Sequence, residues 1–257
     1  MTNGQRQSKL QTHEQYDPRV AERFDRLVDW ENRLANYGGF FFRILNENKA
    51  KRILDMSTGT GFDSIALAKN GFDVVSLDGS PEMIERAHIN AKKYGVKLKT
   101  IVSDWRNLGN TFSTIIKGAA PPFDGATNLG NSFLHLTHPE REDVVSQVWK
   151  ILAQGGVFIV DYRNYHRLTR GLPIRLEDGG YYSGKGAKMD IELRDNLVVQ
   201  SYSFDDGAKF TLSFKPVFIE EAKGELESNK FSVKVYSDFR EKFDPDASFY
   251  QLVGKAG

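Results

Sequence analysis

Apolar and polar positions in the first two thirds of the chain repeat one unit. An apolar run at 52–56 meets a Gly-containing turn. Apolar residues then fall at 62, 65, 66 and 68, the spacing of a helix buried on one side. The order returns with an apolar run at 72–77 and a helical pattern over 82–94, and again with a run at 98–102. Ser80 and Pro81 suit the N-cap and first turn of that second helix. Two more strands are predicted at 125–129 and 157–161, with Gln154-Gly155-Gly156 as the helix stop before the latter. Strands and helices in this alternation predict a Rossmann-type α/β sheet, with its ligand site across the strand ends.

After Tyr165 the period changes from that of helices to that of exposed strands. Segments 189–193, 197–204 and 210–217 are short and alternating, with Asp205-Asp206-Gly207 between the last two, and predict an antiparallel meander. A helix over 219–226 follows, and the segments 232–238 and 249–253 are placed to close the main sheet as an antiparallel hairpin, making seven strands. Ahead of the core, helical patterns at 20–30 and 39–45 lean over the strand ends. The expected organisation is an N-terminal arm and helical cap (1–47), a cofactor-binding core (48–165), a meander inserted as a lid (166–230) and the closing strands (231–257).

Composition narrows the chemistry. With 257 residues and 40% apolar content, one large domain with an insertion can bury a core. Lys and Arg number 35 against 34 Asp and Glu, and no basic stripe stands out, so neither nucleic acid nor a membrane surface is an expected partner. No Cys is present, which removes disulfides and thiolate metal sites and fits a cytoplasmic protein. The opening residues have no apolar signal-peptide core, and no run approaches transmembrane length. The five His residues show no ligand spacing, so no metal is expected.

The first turn carries the ligand signal. The stretch Ile53-Leu54-Asp55-Met56-Ser57-Thr58-Gly59-Thr60-Gly61 ends a strand in an acid and follows it with Gly-x-Gly. Glycines let a ligand approach the backbone. A dinucleotide fingerprint would place a third Gly at position 64, where this chain has Ser64. The turn therefore suits a nucleoside ligand without phosphates, such as S-adenosylmethionine. Asp78 ends the second strand, placed to accept both ribose hydroxyls. Asp104 and Trp105 follow the third: the acid can accept from an adenine amino group while the indole packs on the base. At the end of the fourth strand Asn131 offers donor and acceptor to a methyl acceptor, and at the end of the fifth Arg163 can fork onto a carboxylate. His135 is a candidate base, although its surroundings read as structural.

Leu129-Gly130-Asn131-Ser132-Phe133-Leu134-His135-Leu136, followed by Asp161-Tyr162-Arg163-Asn164-Tyr165, resembles the glycine/sarcosine N-methyltransferases, which read LGNSF-x-HL and D-x-RNY at these places. The likeness extends to the Leu54–Ile65 turn, to Asp238-Phe239 and to Phe249-Tyr250, and covers about two thirds of the chain. The resemblance implies a seven-stranded methyltransferase sheet and S-adenosylmethionine as methyl donor. It also implies that Ser57 and Leu129 touch the cofactor through backbone, that Arg33 pairs with its carboxylate and that Tyr16 sits over the site. Asn131 would contact the acceptor and Arg163 would hold its carboxylate. This chain departs from the family at Phe24, where a Trp is usual, and at Asn128, where a Cys is usual. It also has no Tyr within 211–216. The expected acceptor is a small amino acid: glycine, sarcosine or dimethylglycine. A different small amine or carboxylate, a non-catalytic cofactor-binding role and assembly into a homo-oligomer are left open by the residues alone.

Overall fold

A computed structural model describes residues 18–28, 30, 31, 33, 39–118, 122–178, 182 and 186–257. Its main sheet has seven strands in the order β3-β2-β1-β4-β5-β10-β9. The first five strands are β1 (Arg52–Asp55), β2 (Asp73–Asp78), β3 (Lys99–Val102), β4 (Phe123–Asn128) and β5 (Leu152–Arg163), all parallel. β9 (Phe231–Ser237) and β10 (Phe249–Ala256) add the antiparallel hairpin expected from the sequence. Strand order reverses at β1, which lies between β2 and β4. A crevice opens above the carboxyl ends of the strands at such a reversal, and ligands of open α/β sheets bind there.

Each helix on this frame has a local cause. The helix α1 (Pro18–Leu27) lies in the cap, and α2 (Phe40–Glu47) starts from Gly39, whose φ of 89° is open to glycine at little cost. The helix α3 (Phe62–Lys69) starts at the glycine turn. α4 (Pro81–Lys93) is capped as predicted: Ser80 Oγ accepts from Met83 N at 3.2 Å and Pro81 fills the first turn. In α5 (His138–Ile151), Glu140 reaches back to accept from Thr137 N at 2.8 Å. The predicted stop at Gln154-Gly155-Gly156 is misplaced. α5 ends at Ile151 and Leu152 is already extended, because Leu152 pairs with Phe123 at the base of the sheet. The two glycines instead serve a break in register inside β5, where Gly155 takes a φ of 74°.

A second sheet of three antiparallel strands holds β6 (Ala187–Arg194), β7 (Leu197–Phe204) and β8 (Lys209–Phe214). β7 alternates strictly between half-buried and buried positions, with the even-numbered residues inward. α6 (Ile219–Ser228) then leads back to β9. No helix among the described residues is long and apolar enough to cross a membrane.

Gly61 joins the glycine turn to the helix layer. Its φ is 96°, and a Cβ there would stand 3.0 Å from Ala87 Cβ and 3.1 Å from Ala87 Cα, backbone that cannot swing aside. Gly61→Ala is expected to destabilise the fold by about 2 kcal/mol or more, from left-handed strain plus overpacking. A urea midpoint unchanged from that of the parent protein would refute this account of Gly61.

Candidate active site

Two adjoining cavities open at the reversal point. The larger is walled by the glycine turn (Ser57, Thr58, Gly59, Thr60), by Asp78, by Asp104 and Trp105, by Leu129 and by Arg33. The smaller is walled by Asn131, Arg163 and Tyr182 and by Gln200, Tyr202, Phe210 and Leu212 of the second sheet. Phe24, Gly130, Ser132, His135 and Tyr182 line both cavities and form the passage between them.

The larger cavity has the polarity of a nucleoside site. Three N–H groups of its turn are committed: Thr58 N to Leu77 O at 3.1 Å, Gly59 N to Asp78 Oδ2 at 2.8 Å and Gly61 N to Thr58 O at 2.8 Å. Such a turn makes no cradle for a pyrophosphate, which needs free N–H groups pointing at it. Asp78 accepts from Gly59 N through one oxygen and from Ser80 N, at 2.9 Å, through the other. The carboxylate keeps acceptor capacity beyond these bonds, which a ribose diol can use. Burial raises the Asp78 carboxyl above the usual carboxylate range, while the N–H groups of Ser80 and Gly59 oppose the shift. Trp105 is nearly buried, and its Nε1 donates to Met56 O, so its ring is fixed at the wall. Asp104 is clamped by Arg106, with Nε at 2.8 Å and Nη2 at 2.7 Å.

Several expected residues stand differently from the sequence reading. Asp55 lines neither cavity. It is fully buried, and it accepts from Ser64 Oγ at 2.5 Å and Ser57 N at 3.3 Å, while Ser76 Oγ donates to Ser64. Burial and the neighbouring Asp63 push its carboxyl up to about 7. Asp55 therefore shapes the turn from behind. Gly61 is likewise behind the wall, packed on Ala87. Leu129 lines the cavity, but both its backbone groups are already engaged. Its N–H donates to Ser57 Oγ at 2.9 Å, and its carbonyl accepts from Ser57 Oγ at 3.0 Å and Ser132 Oγ at 2.9 Å. Arg33 is buried and pairs with Asp63 at 2.7 Å, with Phe62 beneath its guanidinium. Tyr16 lies outside the described residues.

Asn131 and Arg163 meet as expected in the smaller cavity, through direct contact. Asn131 Oδ1 accepts from Arg163 N at 2.9 Å, and its Nδ2 donates to Tyr165 Oη at 2.7 Å. Arg163 is 2% exposed. Its Nη1 donates to Arg175 O at 3.0 Å, its guanidinium stacks on Phe249 at 4.6 Å, and its Nε has no hydrogen-bond partner. No carboxylate of the described residues forms an ion pair with it. Sequence reading overlooked Tyr182 and the second-sheet residues Gln200, Tyr202, Phe210 and Leu212. Tyr182 stands in a Gly- and Ser-rich stretch without periodicity. The one available signal for Gln200 was a polar residue at an inward position of an alternating strand. Outside the cavities, His138, Glu221 and Glu225 cluster at metal-ligand distances, but Arg141 already pairs with both carboxylates.

A protein-family model described as a methyltransferase domain matches residues 53–156. Among curated proteins, the glycine/sarcosine N-methyltransferase of Parasynechococcus marenigrum is 40% identical over 207 residues, covering 79% of this chain and 71% of that protein. The glycine/sarcosine N-methyltransferase of Aphanothece halophytica is 35% identical over 94% of this chain and 89% of its own length. Among solved structures, an S-adenosylmethionine-dependent methyltransferase from Clostridium acetobutylicum superposes with a TM-score of 0.71 at 20% identity, covering 93% of this chain and 98% of that one, a likeness of fold.

His135 sits where the cavities join, and burial lowers its imidazole from 6.5 to about 4. A depressed basic group contributes stability that is present above the ordinary value of 6.5 and is lost as pH falls through about 4. The ring is expected to stay neutral across pH 5–8. Nitrogen-15 NMR should show a midpoint below 5, and a midpoint near the ordinary value would mean that water reaches the ring.

Proposed function

The chain belongs to the glycine/sarcosine N-methyltransferase family, and we propose from that premise that it methylates the amine of glycine and sarcosine with S-adenosylmethionine. The observation that carries the acceptor assignment is Arg163, a buried guanidinium with no ion-paired carboxylate among the described residues and with an Nε that has no hydrogen-bond partner. A buried charge left uncompensated costs several kcal/mol, so the counter-charge is expected from the ligand. An amino-acid carboxylate fits the guanidinium fork in two parallel hydrogen bonds. We place the enzyme in the cytoplasm, in keeping with a cysteine-free chain.

The committed N–H groups of the glycine turn and the free capacity of Asp78 support a ribose without phosphates in the larger cavity. In this reading Asp78 holds the ribose hydroxyls, Trp105 packs on the base and Asp104 faces its amino group. Arg33, balanced by Asp63, stands near the amino-acid end of the cofactor. Ser57, Gly59 and Leu129 make the wall in between. Bound S-adenosylmethionine supplies a methyl on a sulfonium sulfur, which leaves with the electron pair of the breaking bond.

The protein's part is orientation and exclusion of water. Arg163 anchors the carboxylate and so sets the direction of the amine two bonds away. Asn131 acts as a positioning residue: its amide holds the Arg163 backbone on one side and Tyr165 on the other. Tyr182 closes the passage between the cavities, its phenol kept neutral by burial against the opposing charges of Arg33 and Arg163. His135, neutral and of low basicity, is poorly suited to take the amine proton. The acceptor therefore reacts as the neutral amine, and the product ammonium loses its proton to water.

Two measurements test this reading. Asp78→Ala removes the charged acceptor of the ribose hydroxyls; one charged hydrogen bond is worth about 1.5–3 kcal/mol, so cofactor affinity by calorimetry should fall about tenfold or more. An unchanged affinity would remove Asp78 from the ribose. Arg163→Lys should cripple transfer to glycine and sarcosine in both KM and kcat while leaving cofactor affinity nearly intact, since an ammonium cannot reproduce the planar fork. Full activity in that variant would take the carboxylate away from Arg163.

A further inference from the structure

The inner face of the second sheet is apolar with one polar amide set into it. β7 turns Val198, Gln200, Tyr202 and Phe204 inward, and all four are buried. Gln200 pairs across the ladder with Ile191 of β6 and Leu212 of β8, while the next pair on that face stacks Tyr202 on Phe210 at 4.4 Å. A Gln in such a row is costly unless its amide finds partners. Half of it does: Nε2 donates to Tyr202 Oη and to Met189 Sδ. A thioether sulfur has no hydrogen to give, so the NH2 end suits the side facing Met189 and the carbonyl the side facing the cavity. The carbonyl Oε1 has no donor among the described residues, and it is not among the buried side-chain atoms sealed off without a partner. Gln200 stands in the wall of the smaller cavity, together with Asn131 and Arg163.

We propose that Gln200 Oε1 accepts an N–H of the acceptor amine and thereby selects amines that still carry one. This rests on the reading of the smaller cavity as the acceptor site. With the carboxylate held by Arg163, the amine has one remaining freedom, rotation of its lone pair and its hydrogens. An acceptor oxygen takes an N–H and leaves the lone pair to face the methyl group. In the transfer, the nitrogen lone pair forms the new N–C bond while the S–C pair departs with sulfur. The nitrogen becomes cationic, its N–H becomes a stronger donor, and the hydrogen bond to Oε1 tightens in the transition state. Glycine and sarcosine keep an N–H in their neutral forms. Dimethylglycine has none, and it leaves a buried carbonyl without a donor. Sites built to bond an N–H reject analogues that lack it. Gln200 is thus the residue at which methylation stops once the amine has no N–H left.

The test compares kcat and KM for glycine, sarcosine and dimethylglycine in the wild type, Gln200→Met and Gln200→Glu, with cofactor affinity as the control for folding. The wild type should prefer sarcosine to dimethylglycine by about tenfold or more in kcat/KM. Met matches Gln in length but has no carbonyl, so the preference should shrink about tenfold, through loss on the N–H-bearing amines. Glu keeps an acceptor and should keep the preference. Its charge holds the amine as ammonium, so the rise of rate with pH should move to higher pH. Equal losses on all three acceptors in the Met variant would make Gln200 merely structural and overturn the proposal. So would a wild type that methylates dimethylglycine as well as sarcosine, and that result would leave transfer to glycine standing. A wild type that binds cofactor but methylates none of the three would bring down the acceptor assignment, and this proposal with it.

Discussion

The site depends on one buried carboxylate. Asp161, fully buried near the end of β5, accepts from Gly130 N at 3.1 Å and from Asn131 N at 2.6 Å. Those bonds hold the loop after β4 beyond the last pair of the ladder, Asn128 with Val160. They require Asn131 to take a φ of 63°, a conformation Asn tolerates better than other non-glycine residues. From that position its amide reaches across to Arg163 N. Charge-assisted hydrogen bonds contribute about 1.5–3 kcal/mol each, enough to hold the loop in this strained form. One side of the loop presents Leu129 to the larger cavity, and the other presents Asn131, bonded to Arg163 of β5, to the smaller. The separation of the two cavities, and so the line along which a methyl group would travel, is set by this knot.

Three strands end in or run into an acid, and the three acids do different work. Asp55 is the most deeply buried and is pushed up to about 7, so hydroxyls from Ser64 and its neighbour Ser76 are its proper company. Asp78 lies one strand outward at the cavity wall, where backbone N–H groups fix it and leave lone pairs over. Asp104, at the edge strand, is pinned by Arg106, which Glu140 also holds at 3.0 Å. Depth along the sheet sorts these roles. A primary structure shows only an acid at a strand end, which is why Asp55 reads as a ligand contact when its oxygens in fact face the turn.

The parallel core was legible because strands buried on both faces appear as plain apolar runs between glycine and capping signals. The closing hairpin was legible from its place after the meander and from the family resemblance, since Phe249 to Val253 is buried throughout and shows no alternation. The stop of α5 was not: Gly155-Gly156 looks like a helix end, yet the apolar pairing of Leu152 with Phe123 starts the strand three residues earlier. Arg163 and Asn131 were legible as site residues from their strings, but not the bond between them, which depends on a left-handed turn. The contributions of the second sheet and of Tyr182 were hidden for another reason. Periodicity places Gln200, Tyr202 and Leu212 on one face, but says nothing of what that face covers. Tyr182 sits in a stretch whose composition reads as loop. Tertiary packing alone brings these residues to the cavity wall.

The charge distribution of the smaller cavity fits the chemistry in a way that its sequence strings do not reveal. One end holds a buried cation, Arg163, braced by Phe249 and the Arg175 carbonyl. The polar groups elsewhere in the wall are uncharged: the amides of Asn131 and Gln200, the phenols of Tyr182 and Tyr202, and a neutral His135. A carboxylate near the amine would stabilise the ammonium, whose nitrogen has no lone pair to attack with. A second cation would repel the charge that develops on nitrogen during transfer. Neutral dipoles avoid both penalties. They also require little reorganisation as charge moves, because side chains packed in a sheet are already aligned. The same apolar packing that makes a buried Gln costly keeps competing water out, so the cavity can bind a zwitterion's anionic end strongly while leaving its amine free to lose a proton and react.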